Sequence, residues 1–248
     1  MLSIEDYLDA TYLKTPEQAN LSAAENLELV KHCIQEAIDS NFKLVMIRPD
    51  HVALAKQMIT FQKSKLLVGT VIGFHKGTAS VQAKLEEAQI AINNQADELD
   101  FVINFTAFKN GNIDLVKQEV LECSKLVLQK NKTIKWIIET AALTANEIVQ
   151  LTTLIKEVIV ANFDSIYFPK VFVKSSTGFF KTENGAPNGA TFDVIQLMLN
   201  NAKPLLVKAS GGVKTYDDAL KMIQMGVQRI GTSSAKLLSE HKDSNANY

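Results

Sequence analysis

Two lysines end apolar, strand-like runs and lead straight into small residues and glycine. Lys174 follows Val171-Phe172-Val173 and precedes Ser175-Ser176-Thr177-Gly178; Lys208 follows Leu205-Leu206-Val207 and precedes Ala209-Ser210-Gly211-Gly212. Lysine is almost never fully buried without a partner. An amine taken out of water loses its proton more easily, and a second cation nearby pushes it further the same way. The neutral amine that results attacks carbonyls to form a Schiff base. A free lysine is neutral in only about one molecule in 2,500 at pH 7. Lowering its pKa to about 7 makes roughly half of it reactive.

A carboxylate sits in a similar setting. In Glu98-Leu99-Asp100-Phe101-Val102-Ile103 the period-2 rule puts Glu98, Asp100 and Val102 on one face of a strand. Asp100 has apolar residues on both sides along the chain, so it must be paired or protonated. Lys135 and Glu139 share a face of the run Thr133–Glu139. If these strands close a barrel, the charged groups converge at one end of its interior, where barrel active sites lie. On chemistry alone the attacking amine is Lys174, Lys208 or Lys170, which lies four residues before Lys174.

Three loops in the last third are rich in glycine and serine: Ser175-Ser176-Thr177-Gly178, Gly211-Gly212-Val213-Lys214 and Gly231-Thr232-Ser233-Ser234. Each falls between a strand and a helix. Glycine lets the backbone approach a ligand, and the helix that follows presents N–H groups to an anion. Such loops after the last strands of a β/α barrel suit a phosphorylated substrate.

The elements that must hold these groups alternate along the whole chain. Strand candidates are Tyr7–Tyr12, Lys43–Ile47, Leu66–Ile72, Glu98–Ile103, Thr133–Glu139, Lys170–Ser175, Leu205–Lys208 and Gln228–Ile230. Between them lie helical patterns near Pro16–Ser40, His51–Lys63, Ser80–Asn94, Ile113–Lys130, Thr144–Ala161, Thr191–Asn201, Tyr216–Met225 and Ser234–His241. Pro16 suits the first turn of a helix. Asn146-Glu147 and Thr215 with Asp218 suit helix starts. Eight strand–helix pairs in 248 residues predict one α/β domain, a (β/α)8 (TIM) barrel over residues 1–241 with a flexible tail at 242–248. A doubly wound open sheet is the rival, without a G-x-G-x-x-G or P-loop to support it.

Composition narrows the function class. Net charge is −1, with 46% apolar and 21% charged residues, so no electrostatic footprint for nucleic acid or an anionic membrane is present. The start, Met1 to Asp9, lacks a signal-peptide pattern, and no apolar stretch approaches the roughly 20 residues of a membrane helix. Cys33 and Cys123 suggest no disulfide framework. A cytoplasmic enzyme is expected. His32, His51, His75 and His241 show no ligand spacing, so neither a metal nor another cofactor is expected.

At these motifs the chain resembles the deoxyribose-phosphate aldolase family, class I (Schiff-base) aldolases on a TIM barrel. Val173-Lys174-Ser175-Ser176-Thr177-Gly178 matches its K-T-S-T-G, and Lys208 to Val213 matches its K-x-x-G-G-V. Asp97-Glu98-Leu99-Asp100, Ile137-Ile138-Glu139-Thr140, Gly69 to Phe74 and Asp9-Ala10-Thr11-Tyr12-Leu13-Lys14 add support. The resemblance implies reversible cleavage of 2-deoxy-D-ribose 5-phosphate to D-glyceraldehyde 3-phosphate and acetaldehyde, a step in deoxyribonucleoside breakdown. It implies Lys174 as the imine former, Lys208 as the cation that depresses its pKa, and Asp100 as proton relay with a water. Thr177, Gly178, Gly211, Gly212, Lys214, Gly231, Ser233 and Ser234 would hold the phosphate, supported by Asp9 and Lys135.

The chain departs from the family in several places. Met46 stands at a frequent cysteine, His75 at a usual proline and Lys214 at a frequent arginine. The approach Ser165–Lys170 is longer than usual. Tyr248, at the end of the tail, is a candidate for assisting proton transfer at the enamine carbon. The sequence sets no oligomeric state; a homodimer is the assembly carried forward.

Overall fold

The computed structural model describes residues 3–183 and 187–241. Tyr248 and the 242–248 tail lie outside the described residues.

Eight parallel strands close into a barrel in strict chain order: β1 (Leu8–Tyr12), β2 (Leu44–Ile47), β3 (Leu67–Ile72), β4 (Glu98–Val102), β5 (Thr133–Ile137), β6 (Val171–Lys174), β7 (Leu206–Ser210) and β8 (Arg229–Thr232). Closure runs through Leu8 opposite Ile230 and Ala10 opposite Thr232. The helices are α1 (Pro16–Ala19), α2 (Ala23–Asp39), α3 (Val52–Phe61), α4 (Val81–Asn93), α5 (Phe105–Lys109), α6 (Ile113–Gln129), α7 (Ala145–Asn162), α8 (Phe192–Ala202), α9 (Tyr216–Met225) and α10 (Ala235–Ser239). The TIM barrel expected from the alternating pattern is the architecture found.

Local signals explain most of the boundaries, and some corrections. The expected helix Pro16–Ser40 is two helices. Asn20 turns left-handed at φ 55°, and Ser22 restarts the chain in a capping box with Glu25. The start of α7 is Thr144, whose hydroxyl accepts from Glu147 N, rather than Asn146. The segment Ser165–Lys170 forms a 3-10 helix, so β6 begins at Val171. β5 ends at Ile137 instead of Glu139, and β7 and β8 each run two residues further than expected.

Alternation sends one face of every strand to the helices and the other into the barrel. Trp136 faces outward, its Nε1 donating to Ser124 Oγ of α6 at 3.2 Å. The interior is divided. Toward β2 and β3 it is apolar, with Leu13, Leu44, Met46 and Val71 packed together. A side chain at Gly69 would stand 2.5 Å from Met46 Cε, so Met46 fills the room that this glycine leaves. Toward β1 and β4–β8 the interior is charged. Cys33 and Cys123 lie in α2 and α6, unpaired, and burial pushes both thiols up to about 12. Among the described residues no helix is long and apolar enough to cross a membrane.

Candidate active site

Strand register brings the charged residues into adjacent pairs. Asp100 stands opposite Lys135, Lys174 opposite Lys208, and Lys208 opposite Arg229. Their side chains point inward and form one contiguous network. Asp100 Oδ1 accepts from Lys135 Nζ at 2.7 Å, and its Oδ2 accepts from Lys174 at 2.9 Å and from Lys208 at 3.0 Å. Lys208 also donates to Asp9 Oδ2 at 2.5 Å. Lys135 Nζ lies 2.6 Å from Glu98 Oε2, a close ion pair without hydrogen-bond alignment. Arg229 completes the stack, bonding Asp9 Oδ1 at 2.5 Å and Glu98 Oε1.

Burial and charge then set the protonation of each group. Burial is the largest influence on Lys174 and lowers its pKa to about 8; Asp100 opposes this, and Lys208 adds to it. Desolvation thus outweighs the contribution of Lys208. About a tenth of such an amine is neutral at pH 7, a gain of roughly two orders of magnitude over a free lysine. Burial alone would raise the Asp100 carboxyl, but Lys135, Lys174 and Lys208 together hold it well below the usual carboxylate range. Asp9 behaves alike: Arg229, Lys208 and Lys135 outweigh burial and hold it at about 2. Lys135 moves the other way, because Asp100, Glu98 and Asp9 overcome its desolvation and keep it charged.

Lys174 meets solvent. It stands in the wall of a cavity of about 530 Å³ at the C-terminal ends of the strands. Lys208, Asp100, Asp9 and Lys135 lie fully buried, outside that wall. The same cavity is lined by Thr177, Gly178, Gly211, Gly212, Lys214, Gly231, Ser233 and Ser234, so all the residues expected around a phosphate come together. Gly231 has a second reason to be glycine. A Cβ there would sit 2.9 Å from Lys208 Cε, in the path of the lysine stem. Of the helices after these loops, α8 and α9 are capped by Thr191 and Thr215. α10 has no side-chain cap, and Ser233 and Ser234 at its start face the cavity.

Two expectations need correction. Lys170 is not a rival amine: it lies in the 3-10 helix before β6, bonded to Asn131 of the β5 approach. Glu139 does not join Lys135 inside the barrel. It leaves β5 in a left-handed turn at φ 55° and accepts from Ser176 Oγ at 2.7 Å, from Thr177 N, and from Thr177 Oγ1. The Thr177 hydroxyl proton is thus committed to Glu139 and is not available to an anion. Burial raises the Glu139 carboxyl, against these hydrogen bonds.

Several members of the site carried little signal in the chain. Ser175 and Ser210 latch the β6 and β7 loops together, Ser175 Oγ donating to Ser210 O at 2.7 Å and Ser210 Oγ to Ser176 O at 2.6 Å. Asn188 Oδ1 is 3.0 Å from Ser176 Oγ. Arg229 could have been found, because it alternates with Gly231 and so shares its inward face. Nothing local distinguishes Asn188.

Comparison with known proteins agrees with this geometry. The profile of the "DeoC/LacD family aldolase" group matches residues 8–236. A deoxyribose-phosphate aldolase of Thermococcus gammatolerans is 38% identical over 240 residues, 96% of each chain. Deoxyribose-phosphate aldolase 1 of Staphylococcus aureus is 37% identical over the full length of both chains. Among solved structures, one described as QR15, an aldolase, superposes with a TM-score of 0.79 at 32% identity, covering 97% of this chain and 96% of its own. Deoxyribose phosphate aldolase of Aeropyrum pernix, described as tetrameric, gives 0.74 at 26% identity, covering 96% and 89%. A buried lysine cluster beneath a loop-lined cavity, with a family profile spanning every strand that builds it, leads to one conclusion: the chain belongs to the DeoC/LacD aldolase family.

Proposed function

We propose that the protein cleaves 2-deoxy-D-ribose 5-phosphate reversibly to D-glyceraldehyde 3-phosphate and acetaldehyde, with Lys174 as the Schiff-base residue. One observation carries most weight. Lys174 alone among the clustered lysines combines a depressed pKa with a place in the cavity wall. The curated relatives at 37–38% identity supply the substrate class.

In this reading the neutral amine adds to C1 of the open-chain sugar and water leaves, giving an iminium. The iminium draws the C2–C3 bonding pair toward nitrogen as the C3 hydroxyl loses its proton, and glyceraldehyde 3-phosphate departs. The remaining enamine takes a proton at C2, and water releases acetaldehyde. Asp100 is held ionised and saturated with donors, so it is a poor base in the free enzyme. Conversion of Lys174 to an iminium leaves its nitrogen a single N–H and draws it toward the substrate, and Asp100 Oδ2 then serves the relay with a water. Lys208 keeps the site cationic. Gly178, Gly211, Gly212, Gly231, Ser233, Ser234 and Lys214 hold the phosphate, with Thr177 tying its loop to Glu139.

Borohydride reduction in the presence of acetaldehyde tests this. An ethyl group on Lys174, located by mass mapping, is the expected product. Trapping only with a ketone substrate would point to a different Schiff-base aldolase. No adduct with either would leave a phosphosugar-binding barrel. For assembly the proposal is a homodimer; a monomer in sedimentation at micromolar concentration sinks it.

A further inference from the structure

The buried stack carries unequal numbers of opposite charges. Arg229, Lys135, Lys208 and Lys174 are in contact with three carboxylates, Asp9, Glu98 and Asp100, and none of the seven is more than marginally exposed. Within this contacted stack one cation is therefore in surplus; Glu139 lies outside it, bonded to the hydroxyls of Ser176 and Thr177 and in no ion pair with the four. Buried charge is tolerated when it is paired, so the stack is balanced only when one of the four gives up its proton. Arginine cannot do so in a protein.

Contacts decide among the lysines. Lys135 is within ion-pair distance of Asp9, Glu98 and Asp100, at 3.8, 2.6 and 2.7 Å. Lys208 touches two carboxylates, Asp9 and Asp100. Lys174 touches one oxygen, Asp100 Oδ2, which it shares with Lys208. Lys174 is the least compensated cation, and it is the one that faces the cavity.

Arg229 produces the surplus from the far end. It begins β8 and Glu98 begins β4, at the opposite end of the strands from Lys174, which closes β6. Without it, three ammoniums would match three carboxylates, and Lys174 could stay charged. We propose that Arg229 and Glu98 are positioning residues for the Lys174 amine, acting through the charge count of the stack and not through contact with substrate. This rests on the reading of Lys174 as the imine-forming residue. The groups around Lys174 are Asp100 from β4, Lys135 from β5 with Glu139 just past its end, and Lys208 from β7. Asp9 of β1 and Arg229 of β8 lie behind them, while β2 and β3 contribute the apolar Leu44, Met46 and Val71.

The two halves of one ion pair should then act in opposite directions. Glu98→Gln removes a negative charge at constant shape, so the amine sheds its proton more readily. Arg229→Met removes a positive charge, so the amine holds it. Arg229→Lys restores the charge without the fork. The experiment follows borohydride trapping of acetaldehyde on Lys174 in the full chain from pH 5 to 10, with mass mapping of the adduct. E98Q is expected to move the acid limb down by about one pH unit and R229M to move it up by a similar amount. R229K should keep the limb of the unaltered protein. A purely structural role predicts loss of amplitude with no displacement, or displacement in one direction for both, and either result overturns the proposal. Should R229M fail to fold, E98Q and R229K decide: an unmoved limb in E98Q, or a raised one in R229K, overturns it. Absence of any Lys174 adduct in the unaltered protein overturns the imine reading itself. An adduct with no opposed shifts overturns only this inference.

Discussion

Lys174 and Lys208 donate to the same oxygen of Asp100, at 2.9 and 3.0 Å. The two amines look alike in the chain, each closing an apolar strand, yet their surroundings differ. Lys208 has a second carboxylate in Asp9, whereas Lys174 has none and faces the cavity. Sharing one acceptor leaves Lys174 desolvated and incompletely neutralised. In the proposed mechanism this poise supplies the nucleophile at near-neutral pH.

This poise has a stability consequence. Folding lowers the Lys174 pKa from an ordinary 10.5 to about 8. Between these values the unfolded chain binds the proton and the folded chain does not, so stability rises with pH across that window. Below about 8 the folded state bears the full penalty of a buried ammonium. Lys174→Met should remove it, raising stability at pH 7 by about 1–2 kcal/mol in urea unfolding, with the gain vanishing above about pH 10.5. Retro-aldol turnover should fall by about four orders of magnitude or more. A Met variant that is less stable at pH 7 would contradict the poise.

Loss of the sister ammonium should be felt as a pH shift. Lys208→Met leaves three cations against three carboxylates, so Lys174 keeps its proton. Turnover at pH 7 should drop about 10-fold, since desolvation of Lys174 persists, with much of it returning at alkaline pH. Lys208→Arg keeps the charge and should keep the pH profile nearer to that of the unaltered protein. A flat loss at every pH would show that Lys208 acts through contact and not through charge.

Two neighbouring glycines should respond unequally. Gly211 and Gly212 have φ of 83° and 84°, so an alanine at either is strained by about 1–3 kcal/mol. At Gly211 a Cβ would also stand 2.2 Å from the Asn188 carbonyl oxygen, while at Gly212 its nearest neighbour is at 3.9 Å. Gly211→Ala should therefore destabilise more in thermal unfolding and raise KM for the phosphorylated substrate more than Gly212→Ala. Equal effects would mean that the loop yields freely at Asn188.

Met46 should protect the enzyme from unsaturated aldehydes. Its thioether cannot add to them as a thiolate can, and its methyl fills the space beside Gly69. Met46→Cys places a thiol at this position and opens room beside it. Incubation with an α,β-unsaturated aldehyde should inactivate the variant several-fold faster, as residual turnover reports. Identical decay of the two proteins would remove Met46 from the account.

Much of this architecture was readable along the chain because its causes are local. Apolar runs alternating with capped amphipathic segments specify eight β/α units, and glycine and serine after the last strands mark the loops that line the cavity. The period-2 rule also points Glu98, Asp100 and Lys135 inward. Identification of the amine is another matter, because partner counts are not local. Lys174 meets Asp100 across 74 positions, Lys208 meets Asp9 across 199, and Arg229 meets Asp9 across 220. The turn that takes Glu139 out of the barrel and the arrival of Asn188 beside Ser176 depend likewise on neighbouring loops. Residue types limit which chemistry is possible, but a pKa is set by distances and burial, and those exist only once the barrel has closed.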